Sequence, residues 1–197
     1  MKKYDITQPL FECLVFPGHP GPQRTLVESI ERGDGCNLTN ISLCVHNGTH
    51  VDAPRHFYRD GKGINEVSLE RFIGPAYVER HDGLVSASDA EGMLTRAEQA
   101  CAGASKRLLI SGDATVTLDA AKVFTRAGIY LVGNDSQTVG PSDSPAAVHY
   151  ELLGAEVVLL EGVRLGAVPD GAYLLNCAPL NLSGCDGSPC RAVLLEM

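Results

Sequence analysis

Along the chain, apolar residues fall in short runs punctuated by glycine and proline, and the runs alternate between strand-like and helix-like patterning. Residues 11–16 (Phe-Glu-Cys-Leu-Val-Phe) read as a short strand. It is stopped by Pro17-Gly18-His19-Pro20-Gly21-Pro22, which cannot continue a ladder. Residues 23–37 are polar and predict no element, 38–45 read as a strand, 58–63 as a turn-rich loop able to flank a pocket, and 75–79 as a strand. Ser88-Asp89-Ala90-Glu91 has capping-box spacing, predicting a helix to about Ala102 with Gly103 as its C-terminal glycine. Residues 107–110 predict a strand, 118–126 a helix capped by Thr117 and closed by Gly128, and 129–132 the next strand. Ser144-Pro145 starts another helix, with the hydroxyl as cap, running to Gly154. The run at 157–160 is a buried strand that ends on Glu161. Alternating strands and helices imply βαβ units and some parallel sheet, an α/β fold. Without an internal repeat or linker, residues 1–197 are expected to form one domain.

Composition narrows the function. A chain of 197 residues with 44% hydrophobic and 20% charged residues is ordinary for a globular protein. A net charge of −8 argues against a nucleic-acid backbone as partner. The start, Met1-Lys2-Lys3-Tyr4-Asp5-Ile6-Thr7-Gln8-Pro9, has no apolar core of a secretory signal, and no apolar run is long enough to span a membrane. The seven cysteines show no Cys-x-x-Cys spacing and are expected to be reduced thiols in a cytoplasmic protein.

Chemistry concentrates at residues 44–57, where His46, His50 and His56 flank Asp52. Imidazole and carboxylate suit zinc, manganese or ferrous iron. Val45, Thr49 and Val51 favour an extended chain, in which 46, 50 and 52 share a face by parity. A straight strand would hold His46 and His50 roughly 13 Å apart, too far to share an ion. The chain must therefore bend, and Asn47-Gly48 permits it because both residues tolerate positive φ. His149 sits on the inward face of its predicted helix; by itself it reads as a core histidine satisfied by a backbone carbonyl. Glu161 closes a buried strand and needs a partner, which a metal would provide. His81, beside charged residues, reads as a surface histidine.

The pattern His-x-Gly-Thr-His-x-Asp-x-Pro-x-His, complete from His46 to His56, resembles the signature of the cyclase-like metal-dependent hydrolases, which include bacterial kynurenine formamidase and isatin hydrolase. The resemblance is strong in the motif and from Asp135 onward, where the segment Asp186, Ser188, Pro189 and Arg191 also matches, and weak at 20–37 and 80–127. It implies a swivelling β/β/α architecture, with a mixed, partly barrel-like sheet flanked by helices and completed by C-terminal strands. It also implies that His149 and Glu161 are metal ligands with His46, His50 and Asp52. An aromatic before Pro-Gly, usually Trp, lines the formamidase pocket; this chain has no Trp, and Phe16 stands there, with His19 where an acid is common. Homo-oligomers, dimers or tetramers, are implied as well.

The expected reaction is hydrolysis of a C–N amide bond, in which one or two ions, zinc or manganese, activate water and polarise the carbonyl. Asp52 and Glu161 are natural bridges, His46 and His50 complete one ion, His149 the other, and His56 carries protons. The resemblance implies an aryl formamide substrate. A cyclic amide such as isatin, or a lactone, is the alternative, and a non-catalytic metal-dependent binder the reading from another class. A thiol hydrolase lacks any cysteine–histidine signature.

Overall fold

In the computed structural model, which describes residues 1–197, the chain forms thirteen strands and three α-helices. In order these are β1 (Lys3–Asp5), β2 (Gln23–Glu28), β3 (Leu38–Ser42), β4 (His50–Asp52), β5 (Ile73–Arg80), β6 (Gly83–Val85), α1 (Ala87–Ala100), β7 (Arg107–Ser111), β8 (Ala114–Val116), α2 (Leu118–Ala127), β9 (Leu131–Asn134), α3 (Ala146–Gly154), β10 (Val158–Glu161), β11 (Gly171–Asn176), β12 (Gly187–Pro189) and β13 (Val193–Glu196). Nine strands make one mixed sheet, ordered β1-β13-β11-β5-β7-β9-β10-β4-β12, which curls into a half-barrel. The β5-β7-β9-β10 centre is parallel and both flanks are antiparallel. This is the mixed, partly closed α/β sheet expected from the sequence.

Side-chain parity divides the interior in two. Leu109, Leu131, Val158 and Leu160 point into one core with Ile6, Val51 and Phe72, while Leu108, Ile110, Val132 and Leu159 point to the helices and meet Phe124, Met93 and Leu152. Phe72 and Phe124 are fully buried, and truncating either to Ala would cost about 3–5 kcal/mol. A sheet buried on both faces explains why these strands read as continuous apolar runs.

Local chemistry sets most boundaries. Thr117 Oγ1 accepts from Ala120 N at 3.2 Å to start α2, and Gly128 closes it at φ 61°. Helix α1 starts two residues before the expected cap, on Ser86, whose hydroxyl accepts from Asp89 N while Asp89 Oδ2 accepts from Ser86 N. Ser144 does not cap α3; its hydroxyl bonds Asp143, and Pro145 occupies the cap. The expected strand at 11–16 does not form. Leu10–Glu12 is a 3-10 turn followed by irregular chain, and Phe16 at its end lines the cavity over the site. Residues 23–28 pair with β3 as a hairpin with exposed faces, separate from the main sheet. The 58–63 loop does flank a pocket, but on the outer side of α3 against Leu153 and Glu156.

Candidate metal centre

The turn before β4 sets the geometry. Gly48 adopts φ 65°, Asn47 N donates to Cys44 O at 3.0 Å, and Cys44 N donates to Asn47 Oδ1 at 2.9 Å. This reversal brings the His46 and His50 ring centroids to 5.2 Å. A buried network ties the turn to the end of β10. Thr49 Oγ1 and Gln8 Nε2 both donate to Gly162 O, at 2.7 and 2.6 Å, and Gln8 N donates to Thr49 Oγ1 at 2.9 Å. Gly162, at φ 66°, permits the approach, because a Cβ there would lie 2.5 Å from Gly48 O.

Register decides which side chains meet. In the antiparallel β4–β10 pair, His50 lies opposite Glu161 and Asp52 opposite Leu159. Directly opposed residues share a face, so His50, Asp52 and Glu161 stand together toward the helices while Val51 and Leu160 enter the other core. Helix α3 delivers His149 to the same face. His50 Nε2 lies 3.4 Å from Asp52 Oδ1 and 3.5 Å from Glu161 Oε2; His149 Nε2 lies 3.3 Å from Glu161 Oε1 and 3.8 Å from Asp52 Oδ2. Each ring's other nitrogen faces a backbone carbonyl, His50 Nδ1 at 3.0 Å from Gly48 O and His149 Nδ1 at 2.9 Å from Pro145 O. With Nδ1–H donating there, both Nε2 atoms face carboxylate oxygens.

Such a pairing needs positive charge between nitrogen and oxygen, either a proton or a metal ion. Without metal, protons serve. Burial would lower His50 and His149, but the facing carboxylates raise both. Burial opposes the charge of His46 too, yet hydrogen bonds to Asp186 (2.8 Å) and Asp52 (2.9 Å) push its pKa up to about 10. Burial would raise Asp52, but its histidine neighbours, His46 foremost, hold it well below the usual carboxylate range. Glu161 is likewise lowered, despite burial and the nearby Asp52, by His149 and His50. Among the carboxylate oxygens of this cluster, Asp52 Oδ2 is buried and has no hydrogen-bond partner. A buried anionic oxygen without a partner is costly, and a cation would relieve it. The potential ligand atoms of His46, His50 and Asp52 lie within 4.8 Å of one another, as do those of Asp52, His149 and Glu161. The residues present therefore fit a divalent metal.

His56 follows β4 on the 3-10 turn Pro54–His56 and is half-buried. Its ring centroid is 4.0 Å from that of His46, its Nδ1 is 3.3 Å from Asp186 Oδ2, and its Nε2 is 4.0 Å from Asp52 Oδ2. A cavity of about 220 Å³ opens over these groups, walled by Phe16, His19, Phe57, Gln137, Thr138 and Pro145. Phe16 and His19 stack with centroids 5.2 Å apart, and Gln137 Nε2 donates to Leu14 O, fastening their loop. All five expected ligand residues, with His56 and Phe16, thus reach one place, whereas His81 lies apart and bonds Leu84 O.

Sequence reasoning passed over Asp186 as a member of the site. It precedes β12, whose Gly187 pairs with Asp52, and a Cβ at Gly187 would lie 3.0 Å from His46 Cε1. The Asp-Gly pair is the only local trace of that close approach.

The "Putative cyclase" family model matches residues 4–141. The chain belongs to this family of cyclase-like metal-dependent hydrolases. It is 32% identical to a kynurenine formamidase of Bacillus anthracis over 98% of this chain and 97% of the relative. A solved structure described as a "Potential Metal-Dependent Hydrolase With Cyclase Activity" is 28% identical, with TM-score 0.81 over 98% of this chain and 96% of the other. Isatin hydrolase A from Ralstonia solanacearum shares the fold, with TM-score 0.84 at 21% identity over 100% of this chain and 92% of that one.

Proposed function

We propose that the protein is a metal-dependent amidohydrolase that cleaves the C–N bond of an aryl formamide, with N-formylkynurenine as the reference substrate, in one domain spanning residues 1–197. One observation carries the reading. Two imidazoles, each anchored through Nδ1 to a backbone carbonyl, aim Nε2 at two buried carboxylates, one of which has an unsatisfied oxygen. The full-length similarity to a kynurenine formamidase supports the substrate class.

In this reading His46, His50, Asp52, His149 and Glu161 hold the metal. Three imidazoles and two carboxylates suit zinc, with manganese as the alternative ion. Asp52 turns Oδ1 toward His46 and His50 and Oδ2 toward His149, and Glu161 divides its oxygens between His50 and His149. With that division the five residues would hold one or two ions between them. A bound divalent ion lowers the pKa of water and polarises a carbonyl. His56 then moves the proton. Asp186 steadies its Nδ1, and its Nε2 is free to take a proton from water and return it to the leaving amine nitrogen, giving formate and the aryl amine. Phe16 offers a ring face to the substrate.

The isatin hydrolase fold neighbours keep a cyclic amide or lactone as the second reading, because Phe16 lacks the N–H of an indole at that wall. A purely metal-dependent binder has no use for His56. We also infer a homodimer or homotetramer, because the β2–β3 hairpin leaves Leu26, Val27, Leu38 and Ile41 exposed and a two-stranded hairpin has little stability alone. The seven free thiols favour the cytoplasm; no helix is long and apolar enough to cross a membrane.

The test is a parallel measurement of kcat/KM for N-formylkynurenine, isatin and simple lactones on metal-loaded protein. The formamide should be turned over; efficient lactone or isatin turnover with none of the formamide would overturn the substrate assignment.

A further inference from the structure

A tight turn at the cavity mouth presents one side chain that the mechanism above leaves without work. In Phe16-Pro17-Gly18-His19 the proline ring fixes φ at the second position, Gly18 takes φ 90° at the third, and His19 N donates to Phe16 O at 3.0 Å. This is a type II turn, and it holds its corner residues, Phe16 and His19, side by side. Their ring centroids are 5.2 Å apart, and the His19 ring lies 6.2 Å from that of His46. Both corner residues line the same cavity as His46, His50 and Glu161. The segment is fastened by its backbone, by Asn47 Nδ2 donating to Pro20 O at 3.1 Å and by Gln137 Nε2 donating to Leu14 O; neither ring nitrogen of His19 takes part. His19 is thus exposed, set in position by its turn, and open at both ring nitrogens.

The rest of the wall offers a substrate little to bond. Phe16, Phe57 and Pro145 carry no polar side-chain atom, the Thr138 hydroxyl is buried, and the Gln137 amide nitrogen is drawn to Leu14 O. His56 faces Asp186 and Asp52. A neutral imidazole carries one N–H donor, so His19 is the open donor of this wall. It stands beside both Phe16 and His46. An aryl group lying on Phe16, with its scissile amide at the metal residues, turns toward His19 the ring edge next to that amide. We propose that His19 is a specificity-determining residue that donates a hydrogen bond to a carbonyl oxygen carried ortho to the scissile nitrogen, so that ortho-acyl aryl formamides are the preferred substrates. The proposal rests on the amide-hydrolase reading and adds to it the substituent that the wall selects.

The test compares ortho-acetyl with para-acetyl formanilide on metal-loaded protein. Both carry the same ketone, and only the ortho isomer brings it to the edge facing His19. The readout is the ortho-to-para ratio of kcat/KM, which cancels any difference in the amount of active enzyme. His19→Phe keeps a ring against Phe16 and removes the donor. It should lower the ratio about 3–10-fold, the worth of one neutral hydrogen bond. The change should fall on KM, because the substituent's oxygen gains no charge in the reaction. His19→Gln keeps an N–H donor and should hold the wild-type ratio within about twofold. A wild-type ratio in His19→Phe would overturn the proposal. So would a change confined to kcat, or a His19→Gln as impaired as His19→Phe. The same ratio is read from competitive inhibition by ortho- and para-aminoacetophenone, assayed on whichever of formamide, isatin or lactone the wild type hydrolyses. Failure of the formamides alone therefore counts against the substrate reading, while the inhibition ratio still decides whether His19 holds the ortho oxygen.

Discussion

The floor and the wall of the cavity are built in different ways. On the floor, His50, Asp52, His149 and Glu161 are at most 3% exposed, lie on or beside paired strands and α3, and are oriented by backbone groups. In the wall, Phe16 is half-buried and His19 exposed, on a segment without regular structure. That segment is tied down by contacts such as Gln137 to Leu14 O, Leu14 N to Gln8 Oε1 and Asn47 Nδ2 to Pro20 O. Reacting groups need fixed separations, which sheet register supplies, whereas substrate choice needs a surface that can change without disturbing the register. A disturbance to the floor should therefore remove the reaction, and one in the wall should only reweight substrates.

The largest effect is expected from Asp52→Ala. It removes the carboxylate that faces all of the clustered histidines, and metal content and turnover should vanish together. Metal analysis beside an activity assay checks this, and retention of stoichiometric metal would break the comparison at its centre. His56→Ala should keep the metal and lose roughly 10²–10⁴-fold in kcat, because it removes a proton carrier and no ligand. Stoichiometric metal loss in that variant would make His56 a ligand. Asp186→Asn should act more mildly, by about 10–10²-fold, through the orientation of His46 and His56. On the wall, Phe16→Ala should raise KM more than it lowers kcat, the signature of lost uniform binding. An equal loss in kcat would give the wall a part in the chemistry.

Stability against pH sharpens the same contrast, because the strongest titrating cluster, His46, Asp52, Glu161 and Asp186, is centred on the floor. In metal-free protein, His46 is raised from 6.5 to about 10, so its contribution is complete below 6.5 and fades as pH climbs through 10. Asp52, Glu161 and Asp186 are depressed, so their contribution is present above about pH 4 and is lost on acidification below it. Thermal melting of chelated protein should show a plateau between these limits and fall on both sides. Zinc should flatten the alkaline limb, since the ion then takes the place of the His46 proton, and its binding should release protons. An alkaline limb unchanged by zinc would place the ion away from His46.

The floor was largely legible in the sequence because its signals are local. Asn47-Gly48 permits the reversal that shared ligation requires, and strand parity follows from Val45, Thr49 and Val51. His149 and Glu161 needed the family resemblance; by residue pattern alone His149 reads as a histidine bonded to a carbonyl, and its Nδ1 does face Pro145 O. What escaped was non-local or degenerate. Asp186 joins the site because β12 pairs with β4, a long-range register whose only local trace is the glycine that follows it. Ser86–Asp89 and Ser88–Glu91 offer the same capping spacing two residues apart, and the end of β6 at Val85 selects the first. Residues 11–16 have a strand's composition yet pair with no strand, and composition alone does not supply a partner.

The central claim is that this cluster works through a bound divalent ion. The most direct test is a titration of exhaustively chelated protein with zinc, following N-formylkynurenine hydrolysis and bound metal together. Turnover should be absent at the start, rise in proportion to bound metal, and level off at one or two ions per chain. Full turnover in demonstrably metal-free protein would contradict the account.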